Sequence, residues 1–221
     1  MIGVYVTVPI GCFRMGCARE YWETHPLPPP STCYGFLLSL VGEEDRTRHI
    51  GCRVTVARLG EPDLSVVLRT LWRIKSKKNP PGVGNNRTPG HQQLLSGIEL
   101  IVWLDSSAEH NAEPTLELRV AQALDPTRRG QVDRFGGLSL GESTHLVDTV
   151  SLLKEDVRRR VQDKSARVFL IDEAQGRMTL PVWVDHVGSA GTRYVTGDLV
   201  EGGLESPQLE RMPRIQPTSG S

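Results

Sequence analysis

The chain has 221 residues, enough for one hydrophobic core or for one core with a small appendage. Its 26 Lys and Arg residues balance its 26 Asp and Glu residues, so the overall charge indicates no polyanionic partner. The four cysteines form no C-x-x-C pair, which argues against a zinc site. With no signal peptide and no apolar spanning segment, we expect a cytoplasmic protein with reduced thiols and no membrane partner.

The N-terminal segment predicts a strand followed by an irregular stretch. Residues 2–9 alternate around Val4, Val6 and Val8, which is typical of a strand. Residues 11–30 combine aromatic and arginine side chains, which either stack on nucleic-acid bases or cover the edge of the core. The side chains concerned are Arg14, Arg19, Tyr21, Trp22 and His25.

Residues 27–44 predict a buried helix with a fixed start. Three prolines force an extended approach, and Ser31 and Thr32 offer side-chain oxygens to the first amides of the helix. Residues 33–41 are almost entirely apolar, and Gly42 suits the C-terminal cap. The free N–H groups and positive dipole end of such a helix suit an anion such as phosphate. A capped core helix without a ligand explains the same pattern.

The next segment predicts a hairpin with a long basic tip. Residues 54–59 and 64–74 read as strands, and Arg69 and Arg73 lie four residues apart on one face of the second. Residues 64–98 contain no Asp or Glu. Residues 75–93 are rich in Pro, Gly and Asn and predict no regular structure, and a strand resumes at 100–104. A tip at about 75–95 is either a site for negative charge or a solvated basic loop.

A glycine-rich loop, RFGGLSLGES at 134–143, follows a segment at 115–124 for which the flanking prolines favour a helix. Its G-x-S-x-G pattern lacks the strand and helix that a hydrolase nucleophile requires. The glycines instead let backbone amides approach phosphate closely, with hydroxyls from Ser139 and Ser143 and charge from Arg134. We expect Glu142 to face a protein group or to cap the loop internally.

The order of elements predicts an α+β fold. Strand, helix, strand, strand, helix and strand fit a ferredoxin-like domain of the RNA-recognition type over residues 1–153, with the last strand at 146–153. After a charged stretch that begins at Lys154, short strands at 167–171, 178–184 and 194–199 predict a small β-rich appendage over 154–204, with a turn at 172–176. Residues 205–221 are polar and predict a disordered tail.

Two parts of the sequence resemble a known family. Phe13-Arg14, Pro-Pro-Pro-Ser-Thr at 28–32, Tyr34-Gly35 and Val41-Gly42-Glu43 are similar to the opening of the Cas5 family. The loop at 134–143 resembles the glycine-rich loop of that family, particularly of its DevS branch. Members belong to the RAMP superfamily and are subunits of the CRISPR Cascade complex. The resemblance covers residues 2–153.

The resemblance implies a non-catalytic subunit that binds the 5′ handle of the CRISPR guide RNA and caps the backbone filament. The basic hairpin corresponds to a thumb that crosses the guide RNA towards the backbone subunit. Other expected neighbours are the large PAM-reading subunit and, mostly indirectly, target DNA; no metal or cofactor is implied. Phe135 is an additional candidate for stacking, or a core residue. The expected RNA-binding residues are Arg14, Trp22, Ser31, Thr32, Tyr34, Arg73, Lys75, Lys77, Lys78, Arg87, Arg134, Gly136, Gly137, Ser139, Gly141 and Ser143.

Two alternatives remain open. One branch of the family cleaves precursor RNA without metal, using a tyrosine with a nearby lysine and histidine. Tyr21 or Tyr34 with Lys78 and His91 could form such a set, although the sequence has no adjacent Lys-His pair. The other alternative is an unrelated RNA-recognition module, against which the absence of an aromatic RNP1 pattern argues.

Overall fold

The structure, a computed structural model, describes residues 1–16, 20–72, 74–110, 112–134 and 136–217. Within these ranges the chain forms nine strands and three α-helices. The strands are β1 (Ile2–Gly11), β2 (Tyr21–Trp22), β3 (Arg53–Leu59), β4 (Asp63–Trp72), β5 (Arg87–Asp105), β6 (Thr149–Leu152), β7 (Ala166–Ile171), β8 (Met178–Trp183) and β9 (Arg193–Glu201). The helices are α1 (Pro30–Leu40), α2 (Leu116–Ala123) and α3 (Glu155–Val161).

The described strands form one sheet in the order β6-β1-β5-β3-β7-β9-β8. Every neighbouring pair along this path is antiparallel. Off the path, β4 pairs antiparallel with the first half of β5, and the short β2 pairs parallel with it. The predicted α+β class is confirmed, since the fold combines a mostly antiparallel sheet with helices.

Alternating side chains give the sheet two buried faces. In β5, Leu100, Val102 and Leu104 join the core beneath α1 and α2, whereas Ile101 and Trp103 join the core on the opposite face. This alternation follows from the two-residue period of a strand. Because both faces are covered, β5 is apolar without interruption from Leu100 to Leu104.

Helix α1 begins and ends where proline and glycine require. Pro30 occupies the first helical position, where its missing N–H costs nothing. At the other end Gly42 has a φ of +67°, its N–H donates to Ser39 O (3.3 Å), and Glu43 N donates to Leu38 O (2.9 Å). These two bonds form a Schellman motif, which confirms the predicted role of Gly42. A Cβ at Gly42 would lie 1.9 Å from Asp133 O, so only glycine fits.

The C-terminal part differs from the predicted appendage. Strands β7, β8 and β9 are present close to their expected positions, but they continue the main sheet through the β3–β7 pair. Phe169, Leu180 and Trp183 belong to the same hydrophobic cluster as α1. The charged stretch after Lys154 contains α3, which the sequence analysis missed. Its buried residues, Val157 and Val161, lie four apart on one helical face.

The disordered tail predicted for 205–221 is wrong for the segment that includes Met212 and Ile215. Both side chains are buried in the core. Ile215 N donates to Cys52 O (2.8 Å), and Gly51 N donates to Ile215 O (2.9 Å). Burial and paired main-chain groups stabilise a segment whose composition is polar. Residues 218–221 lie outside the described residues.

The long hairpin formed by β4 and β5 is more regular than predicted. Its ladder runs from Asp63 paired with Ser96 to Trp72 paired with Arg87, so the expected irregular segment 75–93 is partly strand. The tip is organised by the buried side chain of Asn86. Its Oδ1 accepts from the backbone N–H groups of residues 75 and 76 (2.7 and 2.8 Å), and its Nδ2 donates to the carbonyls of residues 76 and 79 (2.8 and 2.6 Å). Among the helices of the described residues, none is long and apolar enough to cross a membrane.

Candidate nucleic-acid interface

The start of α1 presents fewer main-chain donors than predicted. The N-cap is Pro29, no side chain caps the helix, and Ser31 and Thr32 lie inside the first turn. The expectation that these hydroxyls cap the helix is therefore wrong. Pro30 has no N–H, and the N–H groups of Thr32 and Cys33 both donate to Pro29 O (2.9 and 3.0 Å). The first turn consequently offers the Ser31 N–H and two partly exposed hydroxyls rather than a set of free amides.

An open cavity of about 320 Å³ lies between α1 and the glycine-rich loop. Ser31, Thr32, Gly35 and Ser39 line it from one face of the helix, because residues four apart lie above one another. Ser139 and Gly141 of the loop line the opposite side, so the structure joins the two separately predicted motifs. A Cβ at Gly35 would meet no atom within 4 Å, which shows that this glycine faces open space.

The glycines of the loop have different roles. Gly136 and Gly137 are exposed, and a Cβ at Gly136 would meet nothing within 4 Å. Gly141 has a φ of +96° and packs so closely on the end of β1 that a Cβ would lie 2.8 Å from Cys12 O. Gly136 and Gly137 therefore leave the backbone accessible, whereas Gly141 is required by the packing of the loop itself.

The loop is attached to the middle of the long hairpin through Glu142. Its Oε1 accepts a hydrogen bond from Gln92 Nε2 (2.9 Å), and its Oε2 lies 3.7 Å from Arg69 Nη1. The interpretation that Glu142 faces protein groups is thus confirmed. His145 completes the junction, because its Nδ1 accepts from Cys12 N (3.2 Å). Burial lowers the pKa of His145, which favours the neutral ring that this bond requires.

Arginine side chains cover the aromatic ring that was expected to stack on a base. The guanidinium of Arg14 lies 4.3 Å from the centre of the Trp22 ring, and that of Arg69 lies 5.4 Å from it. Trp22 thus gathers two positive charges next to the glycine-rich loop. A guanidinium that lies over the ring competes with a base for the same surface.

Tyr34 cannot take the stacking or catalytic role considered for it. Its side chain is buried, and its hydroxyl donates to Arg46 O (2.8 Å). Burial raises the pKa of the phenol well above its usual range. The stacking prediction is therefore wrong for Tyr34, because the apolar periodicity of α1 places it in the core. Tyr21 and His91, by contrast, lie on adjacent strands with ring centres 6.2 Å apart.

The hairpin has a basic tip and an apolar face. The expected cations Lys75, Lys77, Lys78 and Arg87 are exposed, while Arg73 lies outside the described residues, as do Arg19 and Phe135. One face of β4 carries apolar side chains that are 49% to 72% exposed. They alternate along the strand and are Leu64, Val66, Leu68 and Trp72.

Two further predicted residues lie away from the cavity between α1 and the loop. Arg134 is exposed and borders a neighbouring opening whose lining includes Glu43, Glu44 and Asp133. Because carboxylates repel phosphate, this opening is less suited to RNA than the acid-free cavity. Ser143 is exposed and lines neither opening.

The structure adds residues to the cavity that sequence reasoning missed. Arg46, Val184 and His186 line it from the loop after α1 and from the end of β8. No local sequence pattern indicates that these three residues lie close together, because only the packing of β8 against α1 brings them into contact with the cavity. Within the described ranges, no group of three or more His, Cys, Asp or Glu side chains could hold a metal ion.

Comparison with known proteins identifies the family. No family model matches the chain. A CRISPR-associated protein Cas5 from Myxococcus xanthus (strain DK1622) is 49% identical over 221 residues, covering 100% of both chains. A chain of a CRISPR RNA-guided surveillance complex is similar in fold, with a TM-score of 0.58, 15% identity and coverage of 90% of this chain and 89% of the other. A crystal structure of a Cas protein has a TM-score of 0.50 at 15% identity, covering 96% of this chain and 97% of that one. With about half of its residues identical to the curated relative over the full length of both, the chain belongs to the CRISPR-associated Cas5 family.

Proposed function

We propose that this protein is a non-catalytic Cascade subunit that binds the 5′ handle of the CRISPR guide RNA and caps one end of the backbone filament. The shared cavity is the observation that carries this proposal. Ser31 and Thr32 of α1 and Ser139 and Gly141 of the loop are far apart in sequence, yet they line one opening free of carboxylates. Hydroxyl and amide donors in such an opening suit a phosphate backbone.

The charge distribution supports a single-stranded RNA ligand. The chain is neutral overall, but its acid-free segment 64–98 concentrates exposed cations at the hairpin tip. Arg14 adds a positive charge beside the glycine-rich loop, whereas the charge of Arg69 is paired with Glu142. Binding of this kind neutralises phosphates and is therefore salt-dependent.

The strand order supports the finer fold assignment. In the order β6-β1-β5-β3, α1 connects β1 to β3 and α2 connects β5 to β6. A ferredoxin-like domain has this antiparallel arrangement and these two helical connections. Strand β4 lies off the main path of the sheet and pairs with the first half of β5, as the hairpin of a thumb would.

The apolar face of the hairpin supports a protein partner. Leu64, Val66, Leu68 and Trp72 expose an apolar stripe that only Thr70 interrupts, and such stripes are typical of protein contacts. We assign this face to the neighbouring backbone subunit and the basic tip to RNA. The large PAM-reading subunit is the other expected neighbour. Contact with target DNA is mostly indirect, because guide pairing carries sequence recognition.

Nuclease footprinting of the guide RNA tests the proposal. Cascade is reconstituted with and without this subunit, and the 5′ handle is probed with a single-strand-specific ribonuclease. We expect the handle to be protected only when the subunit is present. A handle that is cut equally in both preparations would exclude the capping function.

A metal-independent endoribonuclease is the second candidate, which the proximity of Tyr21 and His91 favours. The test incubates the purified protein with labelled repeat RNA in EDTA. Specific products that disappear in the Tyr21→Phe variant would establish cleavage. Binding without products supports the non-catalytic cap.

A further inference from the structure

Arg46 is held in place by two independent contacts. Its main-chain carbonyl accepts the hydrogen bond from the buried Tyr34 hydroxyl (2.8 Å). Its guanidinium lies 4.0 Å from the centre of the Trp183 ring. Trp183 is buried at the end of β8, so it provides a rigid surface under the guanidinium. The side chain is therefore ordered before any ligand binds.

The charge of Arg46 has no counter-ion within the described part of the chain. The adjacent carboxylate, Asp45, instead accepts from Thr47 N (2.8 Å) and Thr47 Oγ1 (2.6 Å). Nearby Arg48 differs, because it forms an ion pair with Glu43 (3.0 Å). An ordered guanidinium without a carboxylate partner favours an external anion, and phosphate matches its planar fork.

The residues that line the cavity around Arg46 do not repel an anion. The cavity lining contains the hydroxyls of Ser31, Thr32, Ser39 and Ser139 and no Asp or Glu. Asp185 lies close in sequence to the lining residue His186, but its carboxylate accepts from the N–H groups of its own loop, at residues 187, 188 and 191. The cavity volume of about 320 Å³ is at the small end of ligand sites, which span roughly 300 to 1,000 Å³. It therefore accommodates about one nucleotide.

We propose that this cavity is a subsite for one nucleotide of a bound RNA and that Arg46, stacked on Trp183, contacts its phosphate. The inference rests on the proposed function and deepens it, because it assigns a phosphate contact outside both motifs of the family resemblance. The hydroxyls of α1 and of the glycine-rich loop donate to the same phosphate from the other side.

Salt titration of RNA binding tests the subsite. Fluorescence anisotropy with the fluorescein-labelled handle RNA of the cognate CRISPR repeat gives the slope of log Kobs against log salt. Loss of one phosphate contact to a single strand lowers this slope by about 0.7. We expect Arg46→Gln to show that decrease with weaker binding, and Arg46→Lys, which keeps the charge, to retain most of the slope.

Arg177→Gln is the matched control. Arg177 is exposed beside β8 and forms an ion pair with Asp198 (2.8 Å), so its removal should leave the slope unchanged. Circular dichroism at the titration temperature confirms that each variant is folded. If the wild-type protein binds the handle and the folded Arg46→Gln variant keeps the full salt slope of binding, Arg46 does not contact a phosphate. The subsite proposal is then refuted, and the proposed function is unaffected. If the wild type itself does not bind the RNA, both are overturned.

Discussion

Gly35 gives the sharpest test of whether RNA occupies the cavity. It lies in the middle of α1, exposed, and a Cβ there would meet no atom within 4 Å. Glycine inside a helix costs about 1 kcal/mol relative to alanine. The chain accepts this cost at a position where any side chain would project into the opening. We therefore expect the stability and the RNA affinity of Gly35 variants to change in opposite directions.

The magnitudes follow from the geometry. Gly35→Ala should raise the free energy of unfolding by about 1 kcal/mol, which corresponds to roughly 2–4 °C in Tm for a chain of this size. Gly35→Leu should keep most of that gain, since leucine is also a good helix former. Its larger side chain would displace the nucleotide from the cavity. Loss of one hydrogen-bonded phosphate contact costs about 1.5–3 kcal/mol, or roughly 10- to 150-fold in Kd.

The assay measures Tm by calorimetry and Kd by anisotropy with handle RNA for wild type, Gly35→Ala and Gly35→Leu. Gly35→Ala is the control, because a single methyl group leaves most of the cavity open. A folded, stabilised Gly35→Leu protein that binds handle RNA as tightly as wild type would refute occupation of the cavity.

Three further predictions concern the hairpin and the buried charges. Asn86→Ala removes the hydrogen bonds that organise the hairpin tip, so it should weaken RNA binding and increase hydrogen exchange of the tip amides. The global Tm should not change, because water can bind the main-chain groups that the exposed tip leaves unpaired. Replacing the three tip lysines, Lys75, Lys77 and Lys78, by glutamine should lower the slope of log Kobs against log salt by about 2, because each lost phosphate contact lowers it by about 0.7. Although burial alone raises the pKa of Glu43, the hydrogen bond and charge of Arg119 lower it to about 2. A lowered pKa in the folded state stabilises the protein above the unfolded value of 4.5, so wild type should lose stability as the pH falls from about 4.5 to 2. Glu43→Gln should lose less stability over the same range, because this carboxylate no longer takes up a proton.

Each of these predictions has a clear opposing result. Unchanged tip exchange in Asn86→Ala would show that Asn86 does not organise the tip. An unchanged salt slope in the lysine variant would remove the tip from the RNA interface. A Glu43→Gln protein whose denaturation midpoint falls with pH as steeply as wild type would exclude Glu43 as the titrating group.

Local patterns predicted the elements whose side chains follow a period. The alternation of Val4, Val6 and Val8 gave β1, and the apolar run closed by Gly42 gave α1. Glu142 was expected to face protein because a carboxylate is unfavourable beside phosphate, and it does. The capping role of Ser31 failed, because the three consecutive prolines place the N-cap at Pro29, two residues before the hydroxyl that the capping rule indicates.

The remaining differences come from contacts between segments distant in sequence. Met212 and Ile215 are isolated apolar residues in a polar segment, so only their burial against the sheet reveals that the segment is ordered. The same holds for Arg46 over Trp183, a contact that depends on β8 packing beside α1. Tyr34 illustrates the opposite error, since a family-like motif suggested exposure where the helical period required burial.

Photocrosslinking of the guide RNA tests the central claim most directly. Cascade is assembled with guide RNA that carries 4-thiouridine within the 5′ handle, irradiated, digested and analysed by mass spectrometry. The proposed function predicts crosslinks to peptides that contain residues 31–46 and 134–143 of this subunit. Handle crosslinks confined to other subunits, or to parts of this chain away from the cavity, would contradict it.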